Sequence, residues 1–142
     1  MRHPLHPMLV HVPVACWLLA PLSDVTALAT DWALLWTVSA LLIGVGVGWG
    51  VLAATAGAMD YARARAVAPR LVNLHAVLMG SAWTVALLSL LGRIGADRQI
   101  AVPPSGWAVA ACFGTAALMI AGAWCGGEMV YGKGIGVGSS RR

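Results

Sequence analysis

The sequence predicts an all-α integral membrane protein: a four-helix bundle of transmembrane helices in one domain, residues 1–142. Of the 142 residues, 60% are hydrophobic and only 10% are charged, well below the roughly 25% charged residues of soluble proteins. Four windows contain no Asp, Glu, Lys or Arg, and each is long enough to cross a bilayer, because about 20 helical residues span a hydrocarbon core about 30 Å thick. These windows are residues 3–23, 32–59, 71–92 and 99–127.

Charge-free windows and turn residues together predict the four helices, in chain order, at about 8–29, 33–59, 71–93 and 106–131. Turn-forming residues lie in the connections, at Thr30-Asp31, at 63–69 and at 103–106. The tail, residues 132–142, is rich in Gly and Ser and is expected to be flexible. No segment remains for a soluble domain. The composition therefore excludes a soluble enzyme, a nucleic-acid-binding domain and a secreted disulfide scaffold.

Basic residues predict the orientation of the bundle. Cytoplasmic segments of membrane proteins carry an excess of Lys and Arg. If both termini are cytoplasmic, seven of the nine basic residues lie inside, and only Arg93 and Arg98 lie in the outer loops. The seven are Arg2, Arg63, Arg65, Arg70, Lys133, Arg141 and Arg142. We therefore expect both termini on the cytoplasmic side.

The histidines give the strongest indication of chemistry. Three of the four lie within the first eleven residues, and the fourth is His75. If the first helix starts near Pro7 and the third near Leu71, His11 and His75 both lie four residues in. Each would then be about 6 Å deep from the same face of the membrane. The sequence thus predicts two imidazoles at matched depth on different helices.

Two acidic residues are predicted to lie at the same end of the bundle. Asp60 ends the second helix and Glu128 lies near the end of the fourth. Each helix would thereby contribute one ionisable side chain. Ionisable groups within a membrane are costly and normally face the bundle interior, so a functional site is expected here.

Two neutral imidazoles between glycine-rich helices suit axial ligation of a b-type haem. This hypothesis assigns His11 and His75 as the ligands, with His6 in place of His11 if the register of the first helix differs. Asp60 and Glu128 would support the ligands or accept protons from a quinol. The arginines available to pair with the anionic haem propionates are Arg63, Arg65 and Arg70.

A non-haem metal site is one alternative. His6 and His11 are five residues apart, about 140° around a helix, so they cannot chelate one ion from a single face. Such a site would need His75, Asp60 or Glu128 as further ligands, a mixed nitrogen and oxygen set acceptable to zinc, iron or copper.

A structural role is the other alternative. His11 and His75 would then hydrogen-bond carbonyl groups that prolines leave free, since Pro13 lacks the N–H that would have served Leu9. The protein would in that case be a non-catalytic subunit that packs against a larger membrane complex.

Several motifs resemble those of a widespread bacterial family of four-helix "predicted membrane proteins", a domain of unknown function. The motifs are His-Pro-x-His-Pro-x-x-Val-His-x-Pro at residues 3–13, Ala-Ala-x-x-Gly-x-x-Asp at 53–60, His75, and Gly-Gly-x-x-Val-Tyr-x-x-Gly-x-Gly-Val at 126–137. The resemblance covers nearly the whole chain. The sequence differs from the family at Val12, where the family usually has Phe.

The resemblance implies a multi-pass protein of the bacterial inner membrane. Some family members look fused to Rieske-type iron-sulfur domains, which implies redox work. A haem near one face cannot by itself carry an electron across about 30 Å of hydrocarbon. Besides the lipid bilayer, we therefore expect a quinone or another redox subunit as partner, and no nucleic acid.

Overall fold

The structure, a computed structural model, describes residues 5–95 and 97–136. Four helical segments of this part are long and apolar enough to cross a membrane. The predicted all-α, four-helix membrane fold is confirmed. The helices are α1 (Leu5–Leu9), α2 (His11–Thr30), α3 (Leu34–Val67), α4 (Pro69–Leu91) and α5 (Gly106–Gly127), and α5 continues into a π-helical turn, Glu128–Gly132.

The first transmembrane segment consists of α1 and α2, joined at Val10. Pro13 has no N–H to donate to the Leu9 carbonyl, which interrupts the helical hydrogen bonds at this point. The Val10 N–H still binds the His6 carbonyl at 3.1 Å, and the Val14 N–H binds the Val10 carbonyl at 3.1 Å. The segment therefore remains one span that begins at Leu5, three residues before the predicted start.

The second transmembrane helix is longer than predicted. α3 runs to Val67 instead of residue 59, because residues 62–66 alternate Ala and Arg, which are good helix formers whose charged groups reach water. Only Ala68 separates α3 from α4. Pro69 then begins α4 at a position where an N–H would have no helical partner. The predicted loop at 63–69 is thus mostly helix.

The remaining boundaries follow the prediction more closely. α4 ends at Leu91, two residues early, and the connection to α5 contains an isolated antiparallel bridge between Ile94 and Ile100. The predicted helix 106–131 is α-helical to Gly127 and π-helical to Gly132. The predicted flexible tail falls largely outside the described residues, from position 137 onward.

The helices pack in a ring in the order α2, α3, α4, α5, which places α2 diagonally across from α4. The core contains Trp17, whose indole lies directly on Gly46. A Cβ atom at Gly50 would lie 3.0 Å from the Trp83 ring. The alternating glycines of α3 therefore make room for tryptophan side chains from α2 and α4.

Candidate functional site

Two histidine rings meet within the bundle, near the corner where α3 and α4 join. The ring centroids of His6 and His75 are 6.4 Å apart and the ring planes are perpendicular, at 89°. Both side chains are partly buried. The first segment and α4 lie diagonally opposite each other in the ring of helices. The two histidine rings therefore lie on opposite sides of the long axis of the bundle. We call this end of the bundle the histidine end.

Each ring is held by a backbone carbonyl of another helix. His6 Nδ1 donates to the Ala53 carbonyl at 2.8 Å, and His75 Nδ1 donates to the Gly122 carbonyl at 2.8 Å. A carbonyl oxygen only accepts, so Nδ1 carries the proton and Nε2 of each neutral ring keeps its lone pair. Among the described residues, neither Nε2 takes part in a hydrogen bond. Both rings are therefore fixed in the tautomer that ligates a metal through Nε2.

A glycine lies against each ring, one helical turn after the carbonyl that binds it. A Cβ atom at Gly57 would lie 2.9 Å from His6 Nδ1, and one at Gly126 would lie 3.4 Å from the His75 ring. A side chain at Gly57 would displace the His6 ring. These glycines belong to two of the motifs noted in the sequence.

The predicted pairing of His11 with His75 is corrected by this geometry. His11 is exposed, and its Nδ1 lies 3.3 Å from the Met8 carbonyl of its own segment. His6 takes the position opposite His75, as expected for the alternative register. The physical reason is the early start of α1, which makes His6 helical. Since His11 follows five residues later, it lies about 140° away on another face.

The structure does not bring the two acidic residues to the histidine pair. Asp60 is exposed and its carboxylate lies 3.8 Å from the Arg63 guanidinium, one turn along α3. Glu128 is also exposed, and its carboxylate lies against Gly132 in the π-helical turn. Neither carboxylate hydrogen-bonds a histidine within the described residues.

The three arginines assigned to haem propionates lie at the histidine end. Arg63, Arg65 and Arg70 are all exposed, on the last turns of α3 and the first turn of α4. Arg63 follows Gly57 by six residues, which is about 9 Å along the helix. The bundle thus carries positive charge just beyond the histidine pair.

A site with three or more protein ligands is not assembled in residues 5–95 and 97–136. No three His, Cys, Asp or Glu side chains lie close enough there to hold one metal ion. The non-haem alternative needs His75 together with Asp60 or Glu128, and the structure keeps these apart from the pair. Structural and catalytic zinc sites use three or four protein ligands. The site as described offers two.

The structure also contains a buried ion pair that the sequence analysis missed. Asp24 and Arg93 are both fully buried, and the guanidinium binds both carboxylate oxygens, with Nη1 3.0 Å from Oδ1 and Nη2 in contact with Oδ2. The Cys112 thiol lies beside this pair, and the Ser39 hydroxyl lies beside the thiol. Asp24 ends the first charge-free window and Arg93 ends the third. Their opposite charges, at the same end of two predicted helices, could have indicated the ion pair from the sequence.

Comparisons with known proteins identify the family of the chain. Neither a curated protein nor a solved structure matches the chain. A family model described as "Predicted membrane protein (DUF2231)" matches residues 2–139, nearly the whole length. With its four apolar helices of membrane-spanning length, the chain belongs to this family of predicted membrane proteins.

Proposed function

We propose that the protein is a membrane b-type haem protein that takes part in electron transfer, and that His6 and His75 would hold the haem. The observation that carries this proposal is a pair of opposed imidazoles in the Nδ1–H tautomer, with no third protein ligand among the described residues. A porphyrin supplies most of the ligands of its iron itself, so the protein would have to supply only one or two. Two imidazoles are sufficient for this cofactor.

The spacing of the rings fits such a site. Two imidazoles that would hold one metal ion must have ring centroids only several ångströms apart, because metal–imidazole bonds are about 2 Å long. The observed separation is 6.4 Å. The hydrogen bonds from Nδ1 to Ala53 and Gly122 hold the ring orientations and make each Nε2 a stronger ligand. When bound, haem supplies one-electron redox chemistry.

The charged residues around the site have a place in this proposal. Arg63, Arg65 and Arg70 would bind the haem propionates, because guanidinium groups pair strongly with carboxylates. The contact of Asp60 with Arg63 would hold that arginine near the histidine end. A proton-accepting role for Asp60 or Glu128 has no support in their contacts.

The distribution of basic residues indicates the orientation of the protein, and the thickness of the membrane indicates that it needs a redox partner. Four spans place both termini on one side, and the excess of basic residues at the histidine end favours the cytoplasm for that side. At the opposite end, Arg93 is buried. Among the described residues, Arg98 is therefore the exposed basic residue at that end. We place the protein in the bacterial inner membrane. A quinone or a second redox subunit would exchange electrons with the haem, since one haem cannot bridge about 30 Å.

Visible absorption of the protein purified in detergent tests the proposal. The wild-type protein, expressed with an adequate haem supply, should show a Soret band and the sharp bands of a low-spin haem after reduction. His6→Ala and His75→Ala should each reduce the Soret absorbance per protein at least five-fold. His11→Ala is the matched control, because it removes an exposed histidine of the same segment and should leave the spectrum unchanged.

Three outcomes would overturn the proposal. A folded wild-type protein that stays colourless after haem addition would favour the non-catalytic subunit. A colourless protein with bound iron, zinc or copper by elemental analysis would favour a non-haem site. Loss of the spectrum in His11→Ala but not in His6→Ala would restore the pairing predicted from the sequence.

A further inference from the structure

The two halves of the chain carry corresponding residues, and each residue of the first half is separated from its counterpart in the second half by the same number of positions. His75 follows His6 by 69 positions. The carbonyl that binds each Nδ1 lies 47 residues after its histidine in both cases. The glycine against each ring comes one helical turn later, at Gly57 and Gly126. Every component of the histidine site therefore occurs twice, with the same offset.

The buried ion pair follows the same offset. Arg93 lies 69 positions after Asp24, and both are fully buried. Other buried residues correspond in the same way: Ala20 to Ser89, Ser39 to Ala108 and Ile43 to Cys112. Few of these residues are identical. The two halves thus resemble each other in which positions are buried, and burial reflects how the helices pack.

The packing of the helices has the matching symmetry. We call α1 to α3 hairpin A (residues 5–67) and α4 with α5 hairpin B (residues 69–136); both begin at the histidine end. Hairpin A meets hairpin B twice, at α3 with α4 and at α2 with α5. A half-turn about the long axis of the bundle exchanges the two interfaces. Parallel repeats related by an axis along the membrane normal are a known architecture of membrane proteins.

Residues near this axis are complementary in charge and in size. Asp24 of hairpin A corresponds to Arg93 of hairpin B, and the large Trp17 corresponds to the small Ala86 in the same buried cluster. Two A hairpins would bring two Asp24 carboxylates together, and two B hairpins would bring two guanidinium groups together. An uncompensated buried charge is strongly destabilising, most of all inside a membrane.

We propose that the chain is two versions of one helical hairpin, and that the Asp24–Arg93 pair is a positioning pair that selects A–B association and sets the register that brings His6 opposite His75. The face of hairpin A that carries Asp24 and Trp17 is complementary to the face of hairpin B that carries Arg93 and Ala86. The inference rests on packing alone and does not require bound haem.

Charge reversal in the full chain tests the symmetry. Asp24→Arg and Arg93→Asp each place two like charges on the axis, so each should lower the Tm in detergent by at least 10 °C or abolish monodisperse protein. The double variant Asp24→Arg/Arg93→Asp should recover at least half of the lost Tm, because the two positions have equivalent surroundings. Arg98→Asp, an exposed arginine in the same connection, is the matched control and should leave the Tm unchanged.

The second measurement reports register without haem. In a chain whose three native cysteines are alanine, His6→Cys/His75→Cys should be joined by a short bismaleimide across the axis. Replacement of the ion pair by leucines, Asp24→Leu/Arg93→Leu, should keep the chain folded but reduce this cross-link at least three-fold. The reversed double variant should restore it.

Results of two kinds would overturn the inference. One is a reversed double variant that is no more stable than the worse single variant, or that fails to fold. The other is full cross-linking in the leucine variant, which would show that the pair does not set the register. A colourless wild-type protein would count against haem only, since neither measurement uses it.

Discussion

At the scale of single residues, the chemistry of the histidine pair depends on which ring nitrogen carries the proton. The carbonyls of Ala53 and Gly122 accept from Nδ1, so Nε2 of each neutral ring keeps its lone pair. Two small positions, Gly57 and Gly126, leave the room in which the rings adopt this orientation. A side chain at Gly57 would displace the His6 ring from this orientation.

A bulky residue at Gly57 should disrupt the site. Gly57→Leu places its side chain where the His6 ring lies, so haem content, measured by the Soret absorbance per protein, should fall at least five-fold. Gly48→Leu is the matched control on the same helix, because nothing lies within 4 Å of a Cβ atom at Gly48. Equal haem content in both variants would contradict the role assigned to Gly57.

At the scale of helices, tryptophan rings seated on glycines hold α2, α3 and α4 together. Trp17 is only 2% exposed and lies on Gly46, and the Trp83 Nε1–H donates to the Val47 carbonyl at 2.9 Å. Both rings pack on the alternating glycines of α3, at Gly46 and Gly50. Which partners these glycines receive depends on the rotation of α2 and α4, which local sequence does not specify.

Truncation of Trp17 should destabilise the bundle strongly. Trp17→Ala leaves a cavity between α2 and α3, and large-to-small changes of this kind cost about 3–5 kcal/mol. The free energy of unfolding in mixed micelles, followed by the fluorescence of the remaining tryptophans, measures the effect. Trp124→Ala, which truncates a tryptophan that is 80% exposed on α5, should change it little. Equal losses in the two variants would contradict this account of packing.

At the scale of the whole molecule, the bundle has two chemically different ends. The histidine end carries the imidazole pair and the exposed arginines of α3 and α4, whereas the opposite end buries the Asp24–Arg93 pair. Both features lie across the same axis, between diagonal helices. An excess of positive charge at one end is a signal that orients membrane proteins during insertion.

Cysteine labelling tests the proposed orientation. Gln99→Cys and Ala66→Cys introduce thiols at exposed positions of opposite ends, while the three native cysteines are buried. In intact cells permeabilised only at the outer membrane, an impermeant maleimide should label Gln99→Cys. Ala66→Cys should react only after the inner membrane is opened. The reverse pattern would place the histidine end outside.

The sequence by itself determined the fold class, the number of spans and the motifs that carry the histidines. These features depend on the length and hydrophobicity of local segments and on charges counted along the chain. It also indicated that imidazoles from the first and third spans would meet.

Only the tertiary structure decided that His6, and not His11, faces His75, and that Asp24 pairs with Arg93 inside the bundle. The reason is physical. Nearly every residue of these helices is apolar, so no polar stripe marks the inward face. The rotation of each helix is then decided by contacts between residues far apart in the chain, such as Trp17 with Gly46 and each histidine with a carbonyl 47 residues later.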